Sequence, residues 1–170
     1  LTSISIDFSE IFKTISLNSK YLSVLMANGI SYFSRTYPAL NLSGSDFKLN
    51  VFYVISPDFN SIELIEIDCP PDSYTVVNVP GITISLNIVN VFVANQAASR
   101  RLIFNFYEAT TITLSNVEFA GLFLAPFADI EFENALFDGT VVCNSINGNN
   151  STTTKNFILP FQPPCTPCSC

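Results

Sequence analysis

The most constraining feature of the sequence is a pattern that occurs twice between residues 112 and 142. The two copies align without a gap at an offset of 18 residues, and besides Ile112 and Ile130 they share three residue types at equal spacing. The shared residues are Asn116, Phe119 and Gly121 in the first copy, and Asn134, Phe137 and Gly139 in the second. Eighteen residues divide into three sides of six, so the offset predicts a three-sided β-solenoid in which each copy is one coil. Stacked coils bury together an inward face that no coil buries alone.

Each shared residue type has a structural interpretation in such a coil. The glycines are expected at a corner where a side chain does not fit or where φ is positive. The phenylalanines are expected inside the coil, in aromatic contact. The asparagines are expected at another corner, where their amides bond to the backbone and to each other. The alternative, in which Asn116 and Asn134 bind a ligand, stays open at this stage.

A helical pattern precedes the β-rich part of the chain. Residues 7 to 29 carry Phe8, Ile11, Phe12 and Ile15 at the spacing of one apolar helix face, which predicts an amphipathic helical stretch. We expect this face to pack against the core of the domain, because no basic face accompanies it that would favour a membrane surface. Asn28-Gly29 is the predicted helix stop.

The remainder of the chain predicts strands. Residues 47 to 161 hold short apolar runs separated by Pro, Gly and Asn, with no helical pattern between them. We therefore predict a mainly β fold over residues 1–162, a three-sided β-helix or β-solenoid with the N-terminal amphipathic helix packed alongside. A Pro/Cys-rich tail follows at residues 163–170.

The strand-rich part also resembles a known family. The stretch "RLIFNFYEATTITLSNVEFAGLFLAPFADIEFENALFDGTVVCNS", with "FKLNVFYVISPDF", "CPPDSYTVVNVPG" and "FILPF", is similar to the choice-of-anchor A domain, an adhesive domain of extracellular and cell-surface proteins. The matching positions include Asn105, Ala125, Pro126, Asp129 and Gly139. The resemblance implies a β-solenoid of the ice-binding-like adhesin type with a helix alongside, and it implies no enzymatic activity. Phe127 and Cys143 depart from the family pattern.

Charge and hydropathy narrow the classes of partner. The chain has 14 acidic and 7 basic residues, a formal charge of −7, and no basic cluster, so nucleic acid is not an expected partner. No run of about 18 apolar residues occurs, so no segment is predicted to span a bilayer as a helix.

The chain has no histidine, which excludes Ser-His-Asp and Cys-His mechanisms. The remaining candidate for chemistry is the alternating row Asp129, Glu131 and Glu133, whose side chains share one strand face. Such a row is a candidate calcium or ligand face, or an acid/base pair of a polysaccharide-cleaving β-helix. A solvated outer face is the more common role, and we predict no catalytic residues and no cofactor.

Two features favour a secretory route. The sequons at Asn41, Asn149 and Asn150 are candidate glycosylation sites. The five cysteines are candidates for disulfides: Cys69, Cys143, Cys165, Cys168 and Cys170. A zinc site on the last three is less favoured, because the chain lacks histidine and a clear fourth ligand.

The sequence therefore predicts a non-catalytic extracellular or cell-surface module for adhesion or for assembly into a surface layer, wall or filament. Expected partners are surface or matrix proteins, further copies of the chain, and glycans. Ice binding or glycan binding is the alternative function. Ice binding needs short residues such as threonine on successive coils, whereas Thr111 and Thr113 have Asp129 and Glu131 as their 18-residue counterparts. A polysaccharide-degrading enzyme is the least favoured reading.

Overall fold

The computed structural model describes residues 7–34, 36–54, 59–94 and 100–149. The predicted tail at residues 163–170 therefore lies outside the described part. The elements, in chain order, are α1 Phe8–Leu22, β1 Ile30–Ser34, β2 Ala39–Ser43, β3 Leu49–Tyr53, β4 Leu64–Asp68, β5 Tyr74–Asn78, β6 Thr83–Asn87, β7 Asn90–Val93, β8 Leu102–Asn105 and β9 Thr111–Asn149. Within these residues, no helix combines the length and apolar character needed to cross a lipid bilayer.

The nine strands form a single, nearly closed sheet. Its order is β1-β2-β4-β7-β9-β8-β5-β3, and β6 also pairs with β9. β1 pairs with β2 in antiparallel fashion, and the other described pairings are parallel. The predicted mainly β class with an N-terminal helix is confirmed.

The parallel pairings fall into three series that converge on β9: β2-β4-β7, β3-β5-β8, and β6. The sequence distance between neighbours in these series is not constant. It is 28 residues for the Thr110–Ile82 contact, 27 for Asn105–Asn78 and 18 for Asn134–Asn116. A search for a fixed period therefore finds the last two copies and misses the earlier strands, which are stacked in the same way.

β9 is a bent element. A straight strand of 39 residues would be about 130 Å long at the usual rise per residue. Instead, Asn134 Nδ2 donates to Asn116 Oδ1 over 2.7 Å, so segments 18 residues apart lie side by side. The bends coincide with residues at positive φ, namely Asn116 at 52°, Gly121 at 95° and Asn134 at 55°.

Aromatic rings fill the main core. Phe119 and Phe137 are both buried, and each packs edge-on against Phe123, with ring centroids 5.2 and 5.8 Å apart. Phe104 makes a similar contact with Phe119 at 5.1 Å. Edge-to-face pairs stabilise a core beyond simple burial, so the phenylalanines of neighbouring strands hold the stack together from inside.

A buried hydrogen-bond network ties α1 to the sheet. Asn78 and Asn105 are register partners on β5 and β8, both fully buried, and Asn105 Nδ2 donates to Asn78 Oδ1 over 2.7 Å. Asn105 also accepts from the Ser19 hydroxyl at 2.6 Å and donates to the Ser19 carbonyl at 2.9 Å. Asn78 Nδ2 donates to the Leu22 carbonyl at 2.8 Å. Because buried amides without partners are costly, this network fixes the position of the helix.

The helix is shorter than the predicted stretch of residues 7 to 29. Asp7 caps its start by accepting from the backbone amides of Ser9 and Glu10. Its end at Leu22 coincides with the Tyr53 hydroxyl, which lies against the carbonyls of Ser23 and Leu25, 3.1 Å from the latter. Helical hydrogen bonding therefore does not continue to Asn28.

The side chain of Asn28 forms hydrogen bonds with β3 instead of ending the helix. Its Nδ2 donates to the Leu49 carbonyl over 2.8 Å, and its Oδ1 accepts from the Val51 amide over 2.7 Å. β3 stands at one end of the sheet order, so this side chain satisfies backbone groups at a strand edge. Strands also begin at Ile30, earlier than the predicted residue 47.

The apolar face of α1 is only partly used by the described residues. Ile15, Leu22 and Leu25 pack against a second buried cluster on the sheet, formed by Val76, Ile103, Leu122 and Leu124. Phe8 is 75% exposed, and Ile11 and Phe12 are also exposed. The expected packing against the core thus holds for the C-terminal half of the helix.

We predict that Asn105→Ala lowers the free energy of unfolding by roughly 2–3 kcal/mol, because it leaves the Ser19 hydroxyl and the Asn78 Oδ1 atom buried without their hydrogen-bond partner. Urea unfolding of purified protein measures the change. The control is Asn87→Ala, at an exposed position on β6, where a change within about 0.5 kcal/mol is expected. Equal losses in the two variants would contradict the role assigned to the network.

Candidate functional site

The repeated asparagines lie at a bend of the backbone. Asn116 and Asn134 both have φ near +55°, a region that asparagine tolerates better than most residues, and their side chains are hydrogen bonded to each other. Ile88 has the same conformation, with φ of 58°, and its amide donates to the Ser115 carbonyl at 2.9 Å. Since Asn87 pairs with Ser115, Ile88 is the equivalent of Asn116 in the preceding row.

The repeated glycines meet at a second bend. Gly121 has φ of 95°, where a side chain is strained. A Cβ on Gly139 would lie 1.8 Å from the Gly121 carbonyl oxygen, so the two backbones can approach this closely only with glycine at position 139. The repeated residues therefore shape the backbone and the core, and the two asparagine side chains are hydrogen bonded to each other.

We predict that Ile88→Asn stabilises the protein by about 1 kcal/mol, because a left-handed conformation costs an ordinary L-residue roughly that amount and asparagine less. Ile88 is 56% exposed, so little burial is lost. Differential scanning calorimetry should show a higher Tm. The matched control is Ile82→Asn, which is similarly exposed at 66% but lacks a positive φ. An equal gain in the control, or no gain in Ile88→Asn, would show that backbone strain is not the cause.

One outward surface carries short hydroxyl side chains in register. Thr83 pairs with Thr111, and Ser85 pairs with Thr113, all four exposed; we call these residues the hydroxyl face. Thr83, the partner of Thr111 on the preceding strand, is thus 28 residues away in the sequence, whereas the offset of the repeat is 18 residues. The sequence comparison at a fixed offset missed this array for that reason, although the Thr-x-Ser pattern at residues 83–85 was a readable signal.

The acidic row predicted from the sequence continues this surface. The Asp129 amide donates to the Thr110 carbonyl at 2.9 Å, which places Asp129 beside Thr111. Asp129 Oδ1 accepts from the Ser145 hydroxyl at 2.6 Å and from Asn144 Nδ2 at 2.7 Å. These two hydrogen bonds hold the pKa of Asp129 below its ordinary value.

Glu131 and Glu133 are exposed on the same side. In the described part of the chain, no group of three or more His, Cys, Asp and Glu side chains is placed to hold a metal ion. Along a single strand, alternate carboxylates such as Asp129, Glu131 and Glu133 are spread apart.

We predict that NMR titration will place the Asp129 carboxyl pKa below the ordinary value of about 3.9. The ionised form accepts both hydrogen bonds, so this contribution to stability is present above the unfolded-state pKa and is lost as the pH falls through the folded-state pKa. Ser145→Ala should raise the pKa of Asp129 towards its ordinary value, whereas Thr113→Ala should leave it in place. An unchanged pKa in Ser145→Ala would contradict the assignment.

A groove lies on the β2-β4-β7 series of strands. We call this feature the groove. Its polar and aromatic lining residues are Asn41 and Ser43 on β2, Glu66 and Asp68 on β4, and Phe92 on β7. Its volume is about 410 Å³, and Leu42, Ile67 and Ala94 complete its lining. The register pairs Asn41 with Glu66, Ser43 with Asp68, and Glu66 with Phe92. Cross-strand partners share a face, so these side chains stand together although they are far apart in sequence.

Asn41 is the one candidate glycosylation site whose side chain the structure describes, and it is half-exposed in the groove. Asn150 and the side chain of Asn149 lie outside the described part. Sequence reasoning identified Asn41 as a sequon but did not identify the groove, because the register that joins residues 41, 66 and 92 follows no fixed period.

Cys69 and Cys143 are free thiols in the structure, so neither forms the predicted disulfide there. Cys69 is buried in the main core, and Cys143 packs against that core while half-buried. Burial raises the pKa of both thiols, which disfavours the reactive thiolate. Cys165, Cys168 and Cys170 lie outside the described residues.

The chain matches a known family of protein domains. Residues 1–154 match the family described as "Putative Ice-binding-like adhesive domain", which covers every described residue. No curated protein and no solved structure matched the chain.

Proposed function

The chain belongs to the family of ice-binding-like adhesive domains, and from this premise we propose that it is a non-catalytic module that holds other molecules at an extracellular or cell surface. Partners in this proposal are surface or matrix proteins, further copies of the chain, and glycans. The observation that carries the proposal is the groove, in which polar side chains and an exposed aromatic ring are presented together on a hydrogen-bonded sheet. Rigid presentation of unpartnered groups favours binding, because little conformational freedom is lost on contact.

The proposed architecture is a three-sided β-solenoid related to the choice-of-anchor A domain. It is supported by the three parallel series that converge on β9 and by the bends at Asn116, Gly121 and Asn134. In such a fold the backbone hydrogen bonds run along the stack, and each side presents one row of residues per coil. The hydroxyl face and the groove then belong to different sides.

Two observations support a non-catalytic role. The chain has no histidine, the commonest general acid or base. The two donors on Asp129 stabilise its ionised form, which opposes the raised pKa that an acid catalyst of glycoside cleavage needs.

An array that displays matrix proteins together with neutral, acidic and amino-bearing glycans tests the proposal. We expect the purified chain to be retained on a subset of these ligands and to leave them chemically intact, as read by mass spectrometry. The Glu131→Gln/Glu133→Gln variant should bind like the parent, because its changes lie away from the groove. Shortened glycans after incubation would overturn the non-catalytic assignment, and retention on no ligand would overturn the adhesive one.

Ice binding is the second candidate, and the in-register hydroxyl face favours it. Thr83, Ser85, Thr111 and Thr113 offer two adjacent rows of short side chains, but the next row is Asp129 and Glu131. Charged, strongly hydrated groups interrupt the array after two rows, so under the adhesive proposal we expect no thermal hysteresis. Hysteresis that disappears in Thr113→Leu and persists in Phe92→Ala would assign the function to the hydroxyl face instead.

A further inference from the structure

One row of side chains in the groove continues beyond it, and this row crosses four strands. Tyr32 on β1 pairs with Asn41, which pairs with Glu66, which pairs with Phe92. Neighbouring strands are about 4.8 Å apart, so the two aromatic residues at the ends of the row are separated by about 14 Å. Both rings are largely exposed, at 64% for Tyr32 and 58% for Phe92. The row therefore has an aromatic ring at each end and polar groups between them.

A second row runs beside the first. Ile30 pairs with Ser43, and Ser43 pairs with Asp68. The Ala94 amide donates to the Ile67 carbonyl over 3.1 Å, which places the small side chain of Ala94 next in this row. The small residue leaves room beside Phe92, and the groove opens there.

The polar groups of the groove are not used by the fold. Within the described part of the chain, the side chains of Asn41, Ser43, Glu66 and Asp68 make no hydrogen bond and no ion pair. By contrast, the buried Asn50, Asn78 and Asn105 are all hydrogen bonded. Amide, hydroxyl and carboxylate groups thus remain available to a ligand on a surface whose backbone is fixed by the parallel ladder.

The charge of the groove restricts the ligand. Glu66 and Asp68 are acidic, and none of the eight lining residues is basic. An anionic ligand would be repelled, and a ligand with positive groups would be attracted. Exposed aromatic rings accept the flat apolar face of a sugar ring, and they also attract an ammonium group. The amide of Asn41 and the hydroxyl of Ser43 suit the hydroxyl groups of a sugar.

We propose that the groove binds a glycan chain that carries free amino groups, laid across β2, β4 and β7 from Phe92 towards Tyr32. The sugar rings stack on the two aromatic residues, and the ammonium groups contact Glu66 and Asp68. This inference rests on the proposed adhesive function and names the ligand class of that site. A lysine-rich peptide offers the same positive charge, but it lacks the ring faces that Tyr32 and Phe92 would accept.

The test uses the full chain produced in a bacterial host without N-glycosylation, so that Asn41 carries no sugar. Isothermal titration calorimetry measures binding to a fully de-N-acetylated β-1,4-glucosamine oligomer, its N-acetylated counterpart of equal length, and oligolysine. We expect the glucosamine oligomer to bind at least about tenfold more tightly than either of the others, since only it combines ring faces with charge.

Two groove variants and one matched control locate the site. Glu66→Gln/Asp68→Asn and Phe92→Ala should each weaken binding of the glucosamine oligomer by about tenfold. Glu131→Gln/Glu133→Gln removes the same number of charges elsewhere and should bind like the parent. The altered residues are exposed, and unchanged thermal unfolding shows that each variant is folded.

The possible outcomes distinguish failure of the amino-glycan proposal from failure of the proposed adhesive function. Equal binding of the N-acetylated oligomer or of oligolysine would overturn the amino-glycan assignment. Equal weakening in the Glu131→Gln/Glu133→Gln control would overturn the assignment to the groove. If no oligomer binds while the chain is retained on another ligand of the array, the amino-glycan proposal fails and the adhesive function stands.

Discussion

Parallel, in-register pairing is the constraint on which the rest of the structure depends. It sets each residue beside its partner in the next strand, so an inward residue meets an inward residue and an outward residue meets an outward one. The consequence inside is a continuous aromatic core, in which Phe123 contacts both Phe119 and Phe137. The consequence outside is a set of rows, such as the hydroxyl face and the groove, whose chemistry depends on register and not on proximity in sequence.

The bends between strands require residues that tolerate a positive φ, and the sequence supplies such residues at some bends but not at others. Asn116 and Asn134 suit a positive φ and bond to each other, whereas Ile88 occupies the same conformation without that benefit. Gly139 is required by the carbonyl of Gly121 and not by its own dihedral angle. The same bend is therefore stabilised by different means in successive rows, and this variation is why a strict repeat is visible in only part of the chain.

Much of the fold could be predicted from the sequence, because alternating apolar residues and an 18-residue offset report directly on strands and stacking. The β class, the N-terminal helix and the corner asparagines could be predicted because each is visible as a regular spacing of residues in the sequence. The tie between Ser19 and Asn105 is not, since it joins residues 86 positions apart through a buried amide. The groove is hidden for a related reason: Asn41, Glu66 and Phe92 come together only through two pairings with different sequence separations. The acidic row was visible as a pattern, but its contacts with Asn144 and Ser145 required the path of the next segment.

The contacts between α1 and the sheet also have a mechanical consequence. β3, β5 and β8 are adjacent parallel strands, and each presents one polar side chain to the end of the helix: Tyr53, Asn78 and Asn105. The helix thus acts as a brace across three neighbouring strands. A pulling force that separates one strand from the next must also break a bond to this brace, so load is shared between the backbone ladder and the helix. Resistance to tearing along the stack is then set by a few buried side chains as well as by the length of the sheet.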